Sequence, residues 1–170
     1  MAKVTLSLFI HQINYKMKRI AFIVVIIIGF ISSCNDNGLI EKVISSYPNG
    51  TPSLIEYYEW QGDNQILVKH IRYYQNGEKK EEGTFTNDNK NGDWKYWYEN
   101  SNLWSEGAFK QGVRDGETKV YYKSGKLKYT GFYTDGETDK KWIFFDGKGN
   151  KIKEVNYDKG NVVNEIEFEE

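Results

Sequence analysis

Residues 93–109 read DWKYWYENSNLWSEGAF, and that stretch reads as a β-hairpin. DWKYWY is an aromatic-rich run of the kind that favours a pleated, half-buried surface. Asn100-Ser101 stands where Asn76-Gly77 and Ser124-Gly125 stand in the neighbouring segments. Asn-Gly is a strong short hairpin signal, because both residues tolerate positive φ. Leu103 to Phe109 is then the return strand. A two-residue turn at Asn100-Ser101 sets the register. It puts Tyr98 opposite Leu103, Tyr96 opposite Ser105 and Trp94 opposite Gly107, and in the next unit Tyr122 opposite Leu127 and Thr118 opposite Gly131. The glycine either lets the indole lie flat over bare backbone or marks a bulge.

Working outward, the hairpin repeats. Trp94, Thr118 and Trp142 are 24 residues apart, as are Trp97, Tyr121 and Phe145. Phe85, Phe109, Tyr133 and Tyr157 hold the same spacing, and so do Gly83, Gly107 and Gly131, with Val155 breaking the set. A fixed period of this length is the mark of a repeat array. Four clear units follow a worn one around Tyr47-Pro48-Asn49-Gly50. A single hairpin is marginal alone, and stacked hairpins share one apolar face. The expected fold is therefore all-β: an elongated, single, twisted antiparallel sheet of stacked 24-residue β-hairpin repeats, about 50 Å long for five units at ~4.8 Å per strand. The segment from Glu165 to Glu169 alternates acidic and apolar residues and reads as a final strand whose charges guard the sheet edge.

Composition agrees. Tyr, Trp, Phe and Gly are abundant in the 170 residues, and there are 2 prolines. Four of the 23 basic residues precede Cys34, so 19 basic and 24 acidic residues remain from Cys34 onward. An acidic domain of this kind is a poor nucleic-acid binder, which needs clustered Lys and Arg. The one cysteine, Cys34, allows neither an internal disulfide nor a cysteine-based metal site.

The N-terminus reads as an address. Ile20 to Ile31 is a run of 12 apolar residues after Lys18-Arg19, too short to span a bilayer and well matched to a signal-peptide core. Ile31-Ser32-Ser33-Cys34 resembles the bacterial lipobox. That resemblance implies cleavage before Cys34 and lipidation of its thiol; two or more acyl chains hold a protein on a membrane surface without spanning it. The expected organisation is a signal peptide over 1–33, a polar tether over 34–46 and a repeat domain over 47–170. Either Met1 or Met17 can be the start, and Met17 gives the signal peptide normal proportions. Asn35 after the cysteine does not resemble an inner-membrane retention signal, which points to the cell envelope's outer membrane.

The pattern aromatic-x-x-Tyr-x-Asn-Gly-x-Leu-x-x-x-Gly-x-Phe/Tyr-x-x-Gly resembles the MORN repeat in its bacterial variant. It rests on Tyr74, Asn76, Gly77, Gly83 and Phe85; on Tyr98, Leu103, Gly107 and Phe109; and on Tyr122, Gly125, Leu127, Gly131 and Tyr133. Bacterial members are often labelled antitoxin-like, and the resemblance implies a binding or scaffold role, not catalysis. The fourth clear unit departs from the pattern through Asp146 to Asn150 and through Val155.

Residue chemistry points the same way. His70 is the one histidine after Cys34, and a lone strand histidine is usually structural. A zinc site takes three or four protein ligands, so no metal or cofactor is expected. Gly147 to Gly149 lacks the rest of a phosphate loop. Asp88, Asp93, Asp115, Asp135 and Asp139 are expected in turns, which aspartate favours through its own backbone hydrogen bonds. An enzyme is not expected. Strand alternation puts Trp97, Tyr121 and Phe145 on the face opposite Trp94. One ladder should be core. The other is either an exposed aromatic strip of the kind found at contact sites or is covered by Lys and Glu stems. The leading expectation is an envelope-anchored lipoprotein, bound to membrane through Cys34, that docks a protein partner through Trp97, Tyr121 and Phe145. An antitoxin or immunity protein is the alternative, and glycan binding by exposed Trp and Tyr is a third.

Overall fold

The computed structural model describes residues 38–169; Cys34 and the segment read as a signal peptide lie outside them. The described residues form one open antiparallel sheet of 11 strands in sequence order. The strands are β1 (Ile40–Ser46), β2 (Pro52–Gln61), β3 (Asn64–Tyr73), β4 (Lys79–Thr86), β5 (Asn89–Trp97), β6 (Leu103–Lys110), β7 (Val113–Tyr121), β8 (Leu127–Thr134), β9 (Glu137–Phe145), β10 (Lys151–Asp158) and β11 (Asn161–Glu167). Every strand is bonded only to its neighbours in sequence. This is the expected sheet of stacked hairpins, with five complete units and a closing strand. Ten steps of ~4.8 Å make it roughly 50 Å long.

The turns differ from the expected ones. The Ser101 N–H donates to the Tyr98 carbonyl and the Tyr98 N–H to the Asn102 carbonyl. Ser101 has φ 67°, and Gly77 and Gly125 at the same position have φ 87°. Each hairpin thus closes on a three-residue loop, a turn followed by one left-handed residue. Leu103 consequently pairs with Trp97, not Tyr98, and Leu127 with Tyr121, not Tyr122. A bulge then inserts Trp104 between Leu103 and Ser105 and restores the expected pairs Tyr96–Ser105 and Trp94–Gly107. The two departures cancel, so the core register survives. True two-residue turns occur where one repeat joins the next. Gln111-Gly112, Asp135-Gly136 and Lys159-Gly160 each have both φ values positive, as a type I′ turn requires.

Part of the segment expected as a tether over 34–46 is strand. Ile40–Ser46 is strand β1, antiparallel to β2. Its side chains read as linker because most of them are exposed; what holds the strand is the hydrogen-bonding edge of β2, which leaves little mark in sequence. Asp93, Asp115 and Asp139 likewise lie in β5, β7 and β9, with Asp88 and Asp135 in turns.

The buried apolar residues are Leu54, Ile55, Ile71, Trp94, Trp142 and Val155. The indoles of Trp94 and Trp142 define one face, and most of the aromatic packing lies there. Ile55 and Ile71 pair with each other on the opposite face.

Candidate functional site

The two faces carry different chemistry, and both follow from the 24-residue register. On the indole face Trp142 pairs with Val155 on its β10 side, and Trp94 pairs with a glycine on both sides, Gly83 and Gly107. The ring lies over Gly83, where a Cβ would come within 2.2 Å of Trp94 Cδ2. Trp142 lies over Gly131 with the same 2.2 Å closeness. The indole therefore covers the glycine of the preceding repeat, not that of its own hairpin. Its N–H donates to the next carbonyl along: Trp94 Nε1 to Thr84 O at 3.1 Å and Trp142 Nε1 to Phe132 O at 3.2 Å. The missing side chain is what allows the ring to lie flat with its polar atom satisfied.

The other repeated aromatics gather around these rings. Phe85 and Phe109 lie 5.3 and 6.0 Å from Trp94, and Tyr133 and Tyr157 lie 5.1 and 5.9 Å from Trp142. His70 is buried between Phe85 and Trp94, at 5.1 and 5.0 Å. Its Nε2 is 3.0 Å from Glu81 Oε1. This contact holds the Glu81 carboxyl below the usual range, with Lys90 and Arg72 adding to it and burial opposing. Among the described residues no three His, Cys, Asp or Glu side chains gather as metal ligands.

Trp97, Tyr121 and Phe145 stand on the opposite face, one repeat apart, and all three are half-buried. Lysine and glutamate pairs run beside them. Lys69 and Lys79 both meet Glu82, the latter at 2.6 Å. Lys95 meets Glu106 at 3.9 Å, and Lys141 and Lys151 meet Glu154 at 3.3 and 3.0 Å. Lys79 Nζ lies 5.8 Å over the Trp97 ring. The Tyr121 hydroxyl donates to Glu106 Oε1 at 2.8 Å. Burial, together with that carboxylate, pushes the Tyr121 hydroxyl up to about 12. The strip is thus aromatic at its centre with charged stems along it.

Sequence reasoning missed what locks repeat to repeat. Tyr47, Tyr74, Tyr98 and Tyr122 each donate a hydroxyl to a carbonyl of the next unit: Tyr73 O at 2.9 Å, Trp97 O at 2.8 Å, Tyr121 O at 2.9 Å and Phe145 O at 2.8 Å. The asparagines Asn49, Asn76 and Asn100 make parallel links to Gln75 O, Glu99 O and Lys123 O. At the other margin the turn glycines Gly112, Gly136 and Gly160 donate N–H to Lys90 O, Arg114 O and Thr138 O, each at 2.8 Å. The signal was the recurrence of Tyr74, Tyr98 and Tyr122, which reads as a turn residue until the neighbouring turn is placed beside it.

No curated protein matches the chain. Residues 68–87, 90–111 and 114–135 match the family model for the MORN repeat variant. These segments coincide with the hairpins β3–β4, β5–β6 and β7–β8, while β9–β10 continues their pairing and turn geometry beyond the matched residues. Three consecutive hairpins at the centre of this sheet thus match the MORN repeat variant.

Proposed function

We propose that this chain is a lipid-anchored envelope protein whose repeat sheet docks a protein partner and performs no catalysis. The observation that carries the reading is the strip of Trp97, Tyr121 and Phe145. Three half-buried aromatic side chains lie one repeat apart on a face that also carries Lys–Glu pairs. Aromatic anchors within a polar rim are the usual make-up of a protein-binding patch. Successive members are two strands, or about 10 Å, apart, so the strip suits an extended partner. Anchoring rests on the sequence: Lys18-Arg19, the apolar run Ile20 to Ile31, and Ile31-Ser32-Ser33-Cys34. Tethering through lipid would leave both sheet faces available, and Asn35 favours the outer membrane.

Two measurements test this. Cys34→Ser should release the protein from the membrane fraction or leave it unprocessed; membrane association unchanged from wild type would defeat the anchor. Cross-linking of the tagged full chain in the envelope should recover a partner that is lost on joint Trp97→Ala and Phe145→Ala substitution. Recovery should persist with Trp60→Ala, which changes an exposed tryptophan elsewhere. A partner that survives the double substitution would move the docking face elsewhere.

A further inference from the structure

The indole face is not uniform. Residues 94, 118 and 142 are Trp, Thr and Trp, and residues 96, 120 and 144 are Tyr, Val and Phe. Ser105, on the neighbouring strand, pairs with both Tyr96 and Val120. The third clear unit therefore carries two small side chains, Thr118 and Val120, where its neighbours carry rings, and Ser105 beside them is a third small one. Gly107 is present opposite Thr118, as though for an indole, but Arg114 fills the place instead. A Cβ on Gly107 would meet Thr118 Oγ1 at 3.2 Å and Arg114 Nη1 at 3.5 Å. Lys90, one repeat earlier, lies 3.7 Å over the Trp94 ring. With no ring beneath it, Arg114 drops toward the sheet, between Phe109 at 5.2 Å and Tyr133 at 5.5 Å.

A guanidinium does not fill an indole's space, and an open recess of about 480 Å3 remains. Tyr96, Trp104 and Tyr129 wall it, with Ser105, Arg114 and Lys128 also lining it. Trp104 and Lys128 are the extra residues of equivalent bulges one repeat apart. Bulges re-aim side chains in this way. Trp104 is 47% exposed although its ring lies 6.1 Å from that of Tyr96. Eight other cations, Lys69, Arg72, Lys79, Lys95, Lys119, Lys141, Lys151 and Lys153, have a carboxylate within ion-pair distance. Among the described residues Arg114 and Lys128 have none. A half-buried cation without a counter-charge is unfavourable, and this one lies in a chain whose part after Cys34 is net acidic.

We propose that this recess binds an acidic sugar residue. Arg114 would take the carboxylate in a two-pronged pair, with Lys128 adding charge at the rim. Trp104 and Tyr129 would offer ring faces to the apolar C–H face of the pyranose, and the Ser105 and Tyr96 hydroxyls would reach its hydroxyl groups. The mixture of aromatic walls and polar groups matches a ligand that is itself apolar on one side and polar on the other, and the volume is that of a small-ligand site. The inference does not depend on the strip of the opposite face.

The test is calorimetric titration of the full chain in phosphatidylcholine nanodiscs with tetragalacturonate, galactotetraose and acetate. Tetragalacturonate should bind at least tenfold more tightly than galactotetraose, and acetate alone should bind negligibly. Arg114→Gln should remove that preference. Thr118→Trp should abolish binding, because the new indole has Gly107 to lie over and lifts Arg114 onto its face, as Lys90 sits on Trp94. Equal affinity for the charged and neutral tetrasaccharides, or none for either, would overturn the proposal. So would full tetragalacturonate binding by a folded Thr118→Trp protein. Should that variant fail to fold, Arg114→Gln decides: an unchanged preference would overturn the proposal as surely.

Discussion

At the residue scale, the glycine beneath each indole has no room for a side chain. Gly83 and Gly107 occupy the same register, but only Gly83 has a ring lying on it. An added methyl at Gly83 must displace the Trp94 indole and its hydrogen bond to Thr84 O, whereas at Gly107 it meets the Thr118 hydroxyl at 3.2 Å. Overpacking a closed core costs about 1–3 kcal/mol. Gly83→Ala should fall in or above that range in urea denaturation, and Gly107→Ala should cost clearly less; equal costs would refute the unequal roles. Glu81 yields a second prediction. Its carboxyl is held below the ordinary value, about 4.3, by the contact with His70 and by Lys90 and Arg72. A lowered folded-state value means that the charged form stabilises the fold above the unfolded value, and that this contribution is lost as pH falls through the folded value. The stability margin of wild type over Glu81→Gln, followed by thermal melts from pH 7 to 3, should be constant down to about pH 5 and then shrink. A margin independent of pH would show that the contact does not discriminate charge states.

At the element scale, the hairpin closes on itself through the three-residue loop and onto its neighbour through tyrosine. Each Tyr hydroxyl at the start of a loop reaches the last strand residue of the next unit's first strand, as Tyr98 reaches Tyr121 O. The ring remains after Tyr98→Phe, so that substitution isolates the hydrogen bond, worth about 0.5–1.5 kcal/mol. The expected outcome is a loss in that range with the secondary structure unchanged by circular dichroism. A larger loss, or loss of strand signal, would mean that the ring position depends on the bond. The bulge after each loop has a further consequence. It supplies the one-residue shift that brings Trp94 back opposite Gly107, and it turns Trp104 and Lys128 toward the recess.

At the scale of the whole molecule, strands pair in the sheet only with their sequence neighbours, so stability should be close to a sum over repeats and their interfaces. Tyr74→Phe and Tyr122→Phe act at interfaces that share no hydrogen bond. The double variant should lose the sum of the two single losses to within about 0.5 kcal/mol, as distant sites do. A deficit well beyond additivity would indicate coupling along the whole array. The sheet ends are dissimilar. Val43 and Ile44 are exposed in β1, while every residue of β11 is exposed, Val162 and Val163 among them. Glu165 and Glu167 of β11 meet Lys153 of β10, which keeps charge at that edge.

Much of this was legible in the 24-residue recurrence. Trp94, Thr118 and Trp142 against Gly83, Gly107 and Gly131 suffice for a stacked-hairpin sheet, because side-chain alternation and a repeated turn admit few other ways to bury the same rings. The chain also contained the columns that become the two faces. Tertiary structure alone decided the turn class, since a three-residue loop plus a bulge gives the same core register as the two-residue turn the residues suggest. It decided that each indole covers the preceding repeat's glycine, since a central strand has two partners and the sequence does not rank them. It also decided the fate of Arg114, which reads as an ordinary surface cation until the small residues at 105, 118 and 120 are seen to leave the space into which it falls.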